Sequence, residues 1–179
     1  MPLPQGNRKG HAPKPSAPKG LGPRGLLAPR GCPYTNHFLN TEEAIKIEWT
    51  DDLSTGVPEM DEQHKQLIAL LNEFYTAVER GEREEGIRRL FDGVDRYTVF
   101  HFSAEEAFME QIGYPELASH RETHAIYRRE YLAAMERHEA GDRKAVRDLV
   151  AFLFSWLYTH IQKTDKRYAA FYHQSAAQN

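Results

Sequence analysis

One cysteine, Cys32, stands in a chain of 179 residues, so no disulfide can form within the chain and no thiolate cluster can hold a metal. That scarcity points to a cytoplasmic protein. Apolar runs are short, and none approaches the roughly 20 residues that cross a bilayer, which excludes a membrane span. Acidic side chains are missing from residues 1 to 40, where Arg8, Lys9, Lys14, Lys19, Arg24 and Arg30 stand alone. Those six leave 17 of the 23 basic residues for residues 41 to 179, against all 26 acidic ones. The net charge of −3 therefore hides a basic segment ahead of an acidic one. The basic segment lacks the aromatic interleaving that specific binding of single-stranded nucleic acid uses. It also lacks the apolar central block of a secretory signal, as "MPLPQGNRKGHAPKPSAPKG" shows.

Residues 1 to 40 are rich in Pro, Gly and basic side chains and have little to bury, so they are expected to be a disordered tail. The sharper alternative is a basic tether for an unidentified acidic protein partner, a membrane surface or nucleic acid, the last without support from aromatic interleaving. Residues 41 to 179 read as one domain. Within it "RGERE" at 80–84, "IGYPE" at 112–116 and "AGDRK" at 140–144 break the pattern, each with a Gly that stops a helix. Pro115 is expected in the first turn of the helix that follows its break. Between the breaks, apolar residues recur at three and four. Leu67, Ile68, Leu71, Phe74, Tyr75 and Val78 mark the first segment, and Leu90, Phe91, Val94, Phe108 and Ile112 the second. Leu117, Tyr127, Tyr131 and Met135 mark a weaker third, and Val146, Leu149, Val150, Leu153, Trp156 and Leu157 the fourth. The fold class is all-α: an up-down-up-down four-helix bundle.

Polar residues stand on these apolar stripes. His64 lies three residues before Leu67, and His101 and Glu105 fall between Val94 and Phe108. His120 and His124 share the third segment, and His160 with Asp165 closes the fourth. A single histidine on an apolar stripe is usually a satisfied core residue, but four stripes carrying them together is a different matter. In an antiparallel bundle the starts of helices one and three share one end with the ends of helices two and four. At about 1.5 Å per residue, all these side chains lie on the order of 8 to 20 Å from that end.

Five imidazoles and two carboxylates suit iron better than magnesium or calcium, and they exceed the four ligands of structural zinc. Seven side chains are too many for one ion, so two are inferred. If both carboxylates and an oxo or hydroxo group bridge, about 11 donor positions are filled out of roughly 12 for two octahedral ions. The open position, walled by Phe102, Trp156, Leu157 and Ile161, would admit a small apolar molecule such as O2. Those walls offer few proton donors, which favours reversible binding over enzymatic turnover.

Two other motifs fail. "HRETH" puts its Glu at the third position, where the zinc-protease motif needs it at the second, and no Glu stands three residues before a His, as ferritin-like bundles require. The five-residue spacing of His160 and Asp165 turns an ideal helix about 140° away from alignment. A helix irregularity, such as a π-bulge, is therefore predicted near residues 160 to 165.

With "IEWTDDLSTGVPEMDEQHKQL" at 47–67, "HFSAEE" at 101–106, "GYPELASHRETH" at 113–124 and "HIQKTD" at 160–165 on the page, the chain resembles the hemerythrin family in its single-domain bacterial form. The resemblance implies a four-helix bundle with a non-haem di-iron centre that binds O2 reversibly, for carriage, storage or delivery. It implies His120, His124 and His160 on the saturated iron, His64 and His101 on the iron with the open position, and Glu105 and Asp165 as bridges. Phe102 and Leu157 match the family's oxygen pocket, and Trp49 matches its N-terminal arm. A sensor or interaction module, and a peroxidase or nitric-oxide-handling enzyme, remain as alternatives. Residues 1 to 40 have no counterpart in the family pattern. His11, His37, His138 and His173 fall outside the ligand pattern and are expected in solvent or tail.

Overall fold

A computed structural model describes residues 46–177; the expected tail, with Cys32, His11 and His37, lies outside the described residues. Helices α1 (Pro58–Glu79), α2 (Arg83–Gln111), α3 (Leu117–Glu139) and α4 (Ala145–His160) follow one another through short connections. The last runs on through a π-helical turn, Ile161–Asp165, into α5 (Lys166–Ala176). Short connections make sequential helices antiparallel neighbours, and α1 packs on α2, α2 on α3, and α3 on α4. The described residues thus form an all-α up-down-up-down bundle whose fourth rod is α4, the π turn and α5.

The helix ends follow from local chemistry. Glu82 N–H donates to Ala77 O at 2.8 Å and Gly81 N–H to Val78 O at 3.0 Å; Asp142 and Gly141 close α3 in the same way on Arg137 and His138. This double closure needs a left-handed residue, and Gly81 and Gly141 supply it at φ 76° and 84°. Pro58 opens α1 at its first turn, where a missing N–H costs nothing. Pro115 does not play that part, because α3 begins only at Leu117. It sits in the preceding turn, two residues ahead of the helix.

Ahead of α1 the chain forms an arm. Ile47 N–H donates to Asn72 Oδ1 at 2.8 Å, and Asn72 Nδ2 donates to Ile47 O at 2.9 Å. Trp49 packs against the core, with the Lys65 ammonium 5.2 Å from its ring. Asp61 ties the end of the arm to α1 by accepting from Ser54 Oγ at 2.6 Å and from Thr55 N–H and Oγ1 at 2.7 Å.

The apolar interior is in two parts. The larger includes Leu67, Leu71, Leu90, Val94, Phe102, Tyr127, Leu149, Leu153 and Ile161. The smaller gathers Val57, Met60, Met109, Tyr114, Tyr168 and Ala169. On α1 His64 falls between Met60 and Leu67, on α2 Glu105 falls between Phe102 and Met109, and on the fourth rod Asp165 falls between Ile161 and Tyr168. A polar layer thus lies between two apolar clusters. The weak third stripe has the same cause, since the buried residues of α3 are His120, His124, Tyr127, Tyr131 and Ala134.

Two side chains depart from expectation. Val78, at the end of the first stripe, is exposed. His138 is half-buried and stacks on Phe91, with ring centroids 5.4 Å apart. His173 is exposed, with Nε2 3.2 Å from Thr55 O.

Candidate metal centre

His64, His101, Glu105, His120, His124, His160 and Asp165 are all buried, none more than 4% exposed, and all seven meet in the layer between the two apolar clusters. Each pair on one helix points inward for a stated reason. His101 with Glu105 and His120 with His124 are spaced i, i+4 and share a helix face. His160 and Asp165 share theirs because the π turn lies between them, at the place where the spacing predicts an irregularity.

The Nε2 atoms of three imidazoles crowd around one carboxylate. His120 Nε2 and His124 Nε2 are each 3.0 Å from Glu105 Oε2. His124 Nε2 lies 3.2 Å from both His120 Nε2 and His160 Nε2. A neutral imidazole has one N–H, and two outer acceptors take it. His124 Nδ1–H donates to Glu106 Oε1 at 2.9 Å and His101 Nδ1–H to Gln63 Oε1 at 2.8 Å. That leaves the Nε2 atoms of His124 and His101 as inward lone pairs. Gln63 and Glu106 were not candidates from sequence, because a polar neighbour of a histidine looks the same as a solvated one.

Donor atoms fall into two sets that share Glu105: one with His120, His124 and His160, the other with His64 and His101. Asp165 spans them. Its Oδ1 is 3.0 Å from His160 Nε2 and 3.7 Å from His120 Nε2, while its Oδ2 is 3.3 Å from His64 Nε2.

Several of these atoms lack hydrogen-bond partners: both nitrogens of His64, Nε2 of His101, Nδ1 of His120, Oε1 of Glu105 and both oxygens of Asp165. Buried polar atoms are nearly always paired, and two buried carboxylates need compensating charge. A cation among converging nitrogen and oxygen donors would supply both, and imidazole with carboxylate is a donor set that suits iron.

The ionisation of the side chains reflects the same demand. Burial pushes the His101 imidazole down to about 3. At His160 burial acts in the same direction, yet Asp165 and Glu105 outweigh it and push the ring up to about 9. Burial would raise Glu105, but His101 and hydrogen bonds from His120, His124 and His160 hold it well below the usual carboxylate range. Asp165 is likewise held low, its burial and the nearby Glu105 charge being outweighed by His160 and His64.

The four expected wall residues divide. Phe102 lies flat on His124, with centroids 3.7 Å apart, and Trp156 stacks on His160 at 4.0 Å, so both border the three-histidine set. Phe102 also reaches His101 at 5.8 Å. Ile161 is fully buried in the larger cluster, and Leu157 lines a cavity of about 30 Å³ beneath the arm. The ring beside the two-histidine set is Tyr97, stacked on His101 at 4.9 Å, a residue that sequence reasoning passed over. Its hydroxyl is buried without a hydrogen-bond partner.

The part of the chain that holds this layer is similar to known proteins. The family described as "Hemerythrin HHE cation binding domain" matches residues 55–172, a span that holds all seven residues. The chain is 34% identical over 123 residues to a bacteriohemerythrin of Stenotrophomonas maltophilia (strain R551-3), covering 69% of this chain and 79% of that one. It is 31% identical over 123 residues to a bacteriohemerythrin of Methylococcus capsulatus, covering 68% and 93%. A hemerythrin-like protein of Naegleria gruberi is 29% identical over 123 residues, covering 68% and 90%.

Proposed function

Because the chain belongs to the hemerythrin family, and its buried donor atoms form two sets that share Glu105, we propose that it binds O2 reversibly at a non-haem di-iron centre. The division of donors into two sets is the observation that carries the reading. In it His120, His124 and His160 would hold one iron and His64 and His101 the other, and Glu105 and Asp165, which reach both sets, would be shared between them. The two ions, when bound, supply the electrons that O2 takes up on binding and returns on release.

The chain's own residues do the rest. Gln63 and Glu106 fix the tautomers of His101 and His124, so Nε2 faces inward. The apolar clusters on either side exclude water, which would otherwise compete with O2 for the layer and carry protons into it. Phe102, which reaches both His124 and His101, presents carbon surface between the two sets, which supports binding without turnover. Carriage, storage or delivery of O2 in the cytoplasm is the role that follows. The scarcity of cysteine supports that location, and no described helix is long and apolar enough to cross a membrane. An acidic protein partner for the basic residues 1 to 40 belongs to the same reading.

One observation favours a second reading, that of a di-iron peroxidase or nitric-oxide-handling enzyme. The free Tyr97 hydroxyl, on a ring stacked against His101, is a buried proton source next to the two-histidine set. Iron analysis together with Mössbauer spectroscopy tests the centre itself: two irons per chain in two distinct environments are expected, and one zinc with no iron would reject it. Turnover of hydrogen peroxide or nitric oxide that Tyr97→Phe abolishes would favour the second reading.

A further inference from the structure

His124 and His101 give their outward protons to acceptors of different charge. Glu106 Oε1 accepts from His124 Nδ1 at 2.9 Å, and the other oxygen of Glu106 accepts from Arg121 Nε at 3.1 Å. Gln63 Oε1 accepts from His101 Nδ1 at 2.8 Å, and the Gln63 amide nitrogen points back to Glu59 Oε1 at 3.5 Å. Gln63 is 3% exposed, so water does not compete for its carbonyl. One imidazole is therefore backed by a carboxylate and the other by a neutral amide. The Nδ1 atoms of His64 and His120 have no such partner.

A carboxylate behind an imidazole raises the donor strength of its inward nitrogen, and losing such an outer partner typically costs 10- to 100-fold in metal affinity. Glu105 serves both donor sets and Asp165 gives one oxygen to each side, so both carboxylates are shared between the sets. The difference lies in a set of three imidazoles of which His124 is backed by an anion, against a set of two of which His101 is backed by an amide.

We propose that Glu106 and Gln63 are positioning residues that make the two metal positions unequal, so that the His120–His124–His160 position fills first and tightly and the His64–His101 position fills second and more weakly. The inference rests on the two-ion reading above and concerns the order in which that centre is built. It separates an anchoring position from one that can lose or exchange its ion and its sixth ligand.

Cobalt(II) titration of the metal-free full-length protein, followed by visible absorption of the bound ion and by calorimetry, tests it. The unaltered protein should take up two ions in two resolved steps. Glu106→Gln should weaken the first step by roughly 10- to 100-fold and leave the second unchanged. Gln63→Glu should tighten the second step by about tenfold, drawing the two together. Circular dichroism checks that each variant is folded, and Gln63→Glu decides alone if Glu106→Gln is not. A single step or two equal steps in the unaltered protein would overturn the inference. So would Glu106→Gln weakening both steps alike, or Gln63→Glu leaving the second step where it was. A protein that fills in two unequal steps but never binds O2 keeps this inference and loses the O2 reading; a reversible O2 binder whose two steps respond alike does the reverse.

Discussion

His160 Nε2 and Asp165 Oδ1 lie 3.0 Å apart although the two side chains stand five positions apart along one helical rod. On a regular α-helix that spacing leaves them about 140° apart, and the π turn at Ile161–Asp165 closes the difference. Inserting an alanine after Thr164 would rotate everything beyond it by about 100°. Tyr168 and Ala169, buried in the smaller cluster, would then leave their places. We expect this insertion to lose at least one of the two proposed irons and to lower the melting temperature, measured by metal analysis and a thermal melt. Asp165→Ala, which keeps the winding, should lose iron while the rest of the bundle stays helical.

The pH dependence of the metal-free protein follows from its buried groups. Unfolded histidine titrates near 6.5, and folded His160 near 9. Its protonation therefore contributes stability that is full below about 6.5 and is lost as pH rises through about 9. His101, held down to about 3 by burial, works the other way, because below about 6.5 the unfolded chain takes a proton that the folded one refuses. Glu105 and Asp165, both held low, contribute stability above the ordinary carboxylate range near 4 that is lost as pH falls. Urea midpoints of the metal-free protein at about pH 5, 7 and 9 should be highest in the middle. Bound metal takes the place of the proton on His160, so loading should stabilise more at the alkaline end than near neutrality.

Phe102 is fully buried and lies flat on His124. Phe102→Ala removes that ring and opens a cavity beside the imidazole, at a cost of about 3–5 kcal/mol. Chemical denaturation of the loaded protein should show that loss. The same variant should oxidise faster in air, because water gains access to the layer; an unchanged oxidation rate would remove Phe102 from the barrier.

Residues 1 to 40 contain none of the proposed ligands. Their deletion should leave iron content and the oxygen-dependent spectrum as they are, and loss of iron would move the domain boundary upstream.

Much of this was legible in the amino-acid order because buried histidines and carboxylates on apolar stripes are rare enough to stand out. The five-residue step from His160 to Asp165 calls for a helix irregularity, and the π turn is the form it takes. Other features were not legible. The third stripe reads as weak because two of its buried positions are histidines, His120 and His124, and the rest of that face is Tyr127, Tyr131 and Ala134 with no large aliphatic side chain. Gln63 and Glu106 lie next to ligand candidates in sequence, and only the folded geometry distinguishes an acceptor for Nδ1 from a solvated neighbour. Tyr97 occupies a stripe position that any aromatic could fill, so its stacking on His101 needed the packed bundle to be seen. Pro115 was misplaced by one turn because proline suits both the turn before a helix and its first residue.

Reversible binding of O2 is the central claim, and the visible absorption spectrum of the anaerobically reduced iron protein tests it most directly. Oxygen should produce a new absorption band that disappears when oxygen is removed and returns when it is readmitted, over several cycles. A direct, one-way conversion to the oxidised iron spectrum, with no band that deoxygenation reverses, would contradict it.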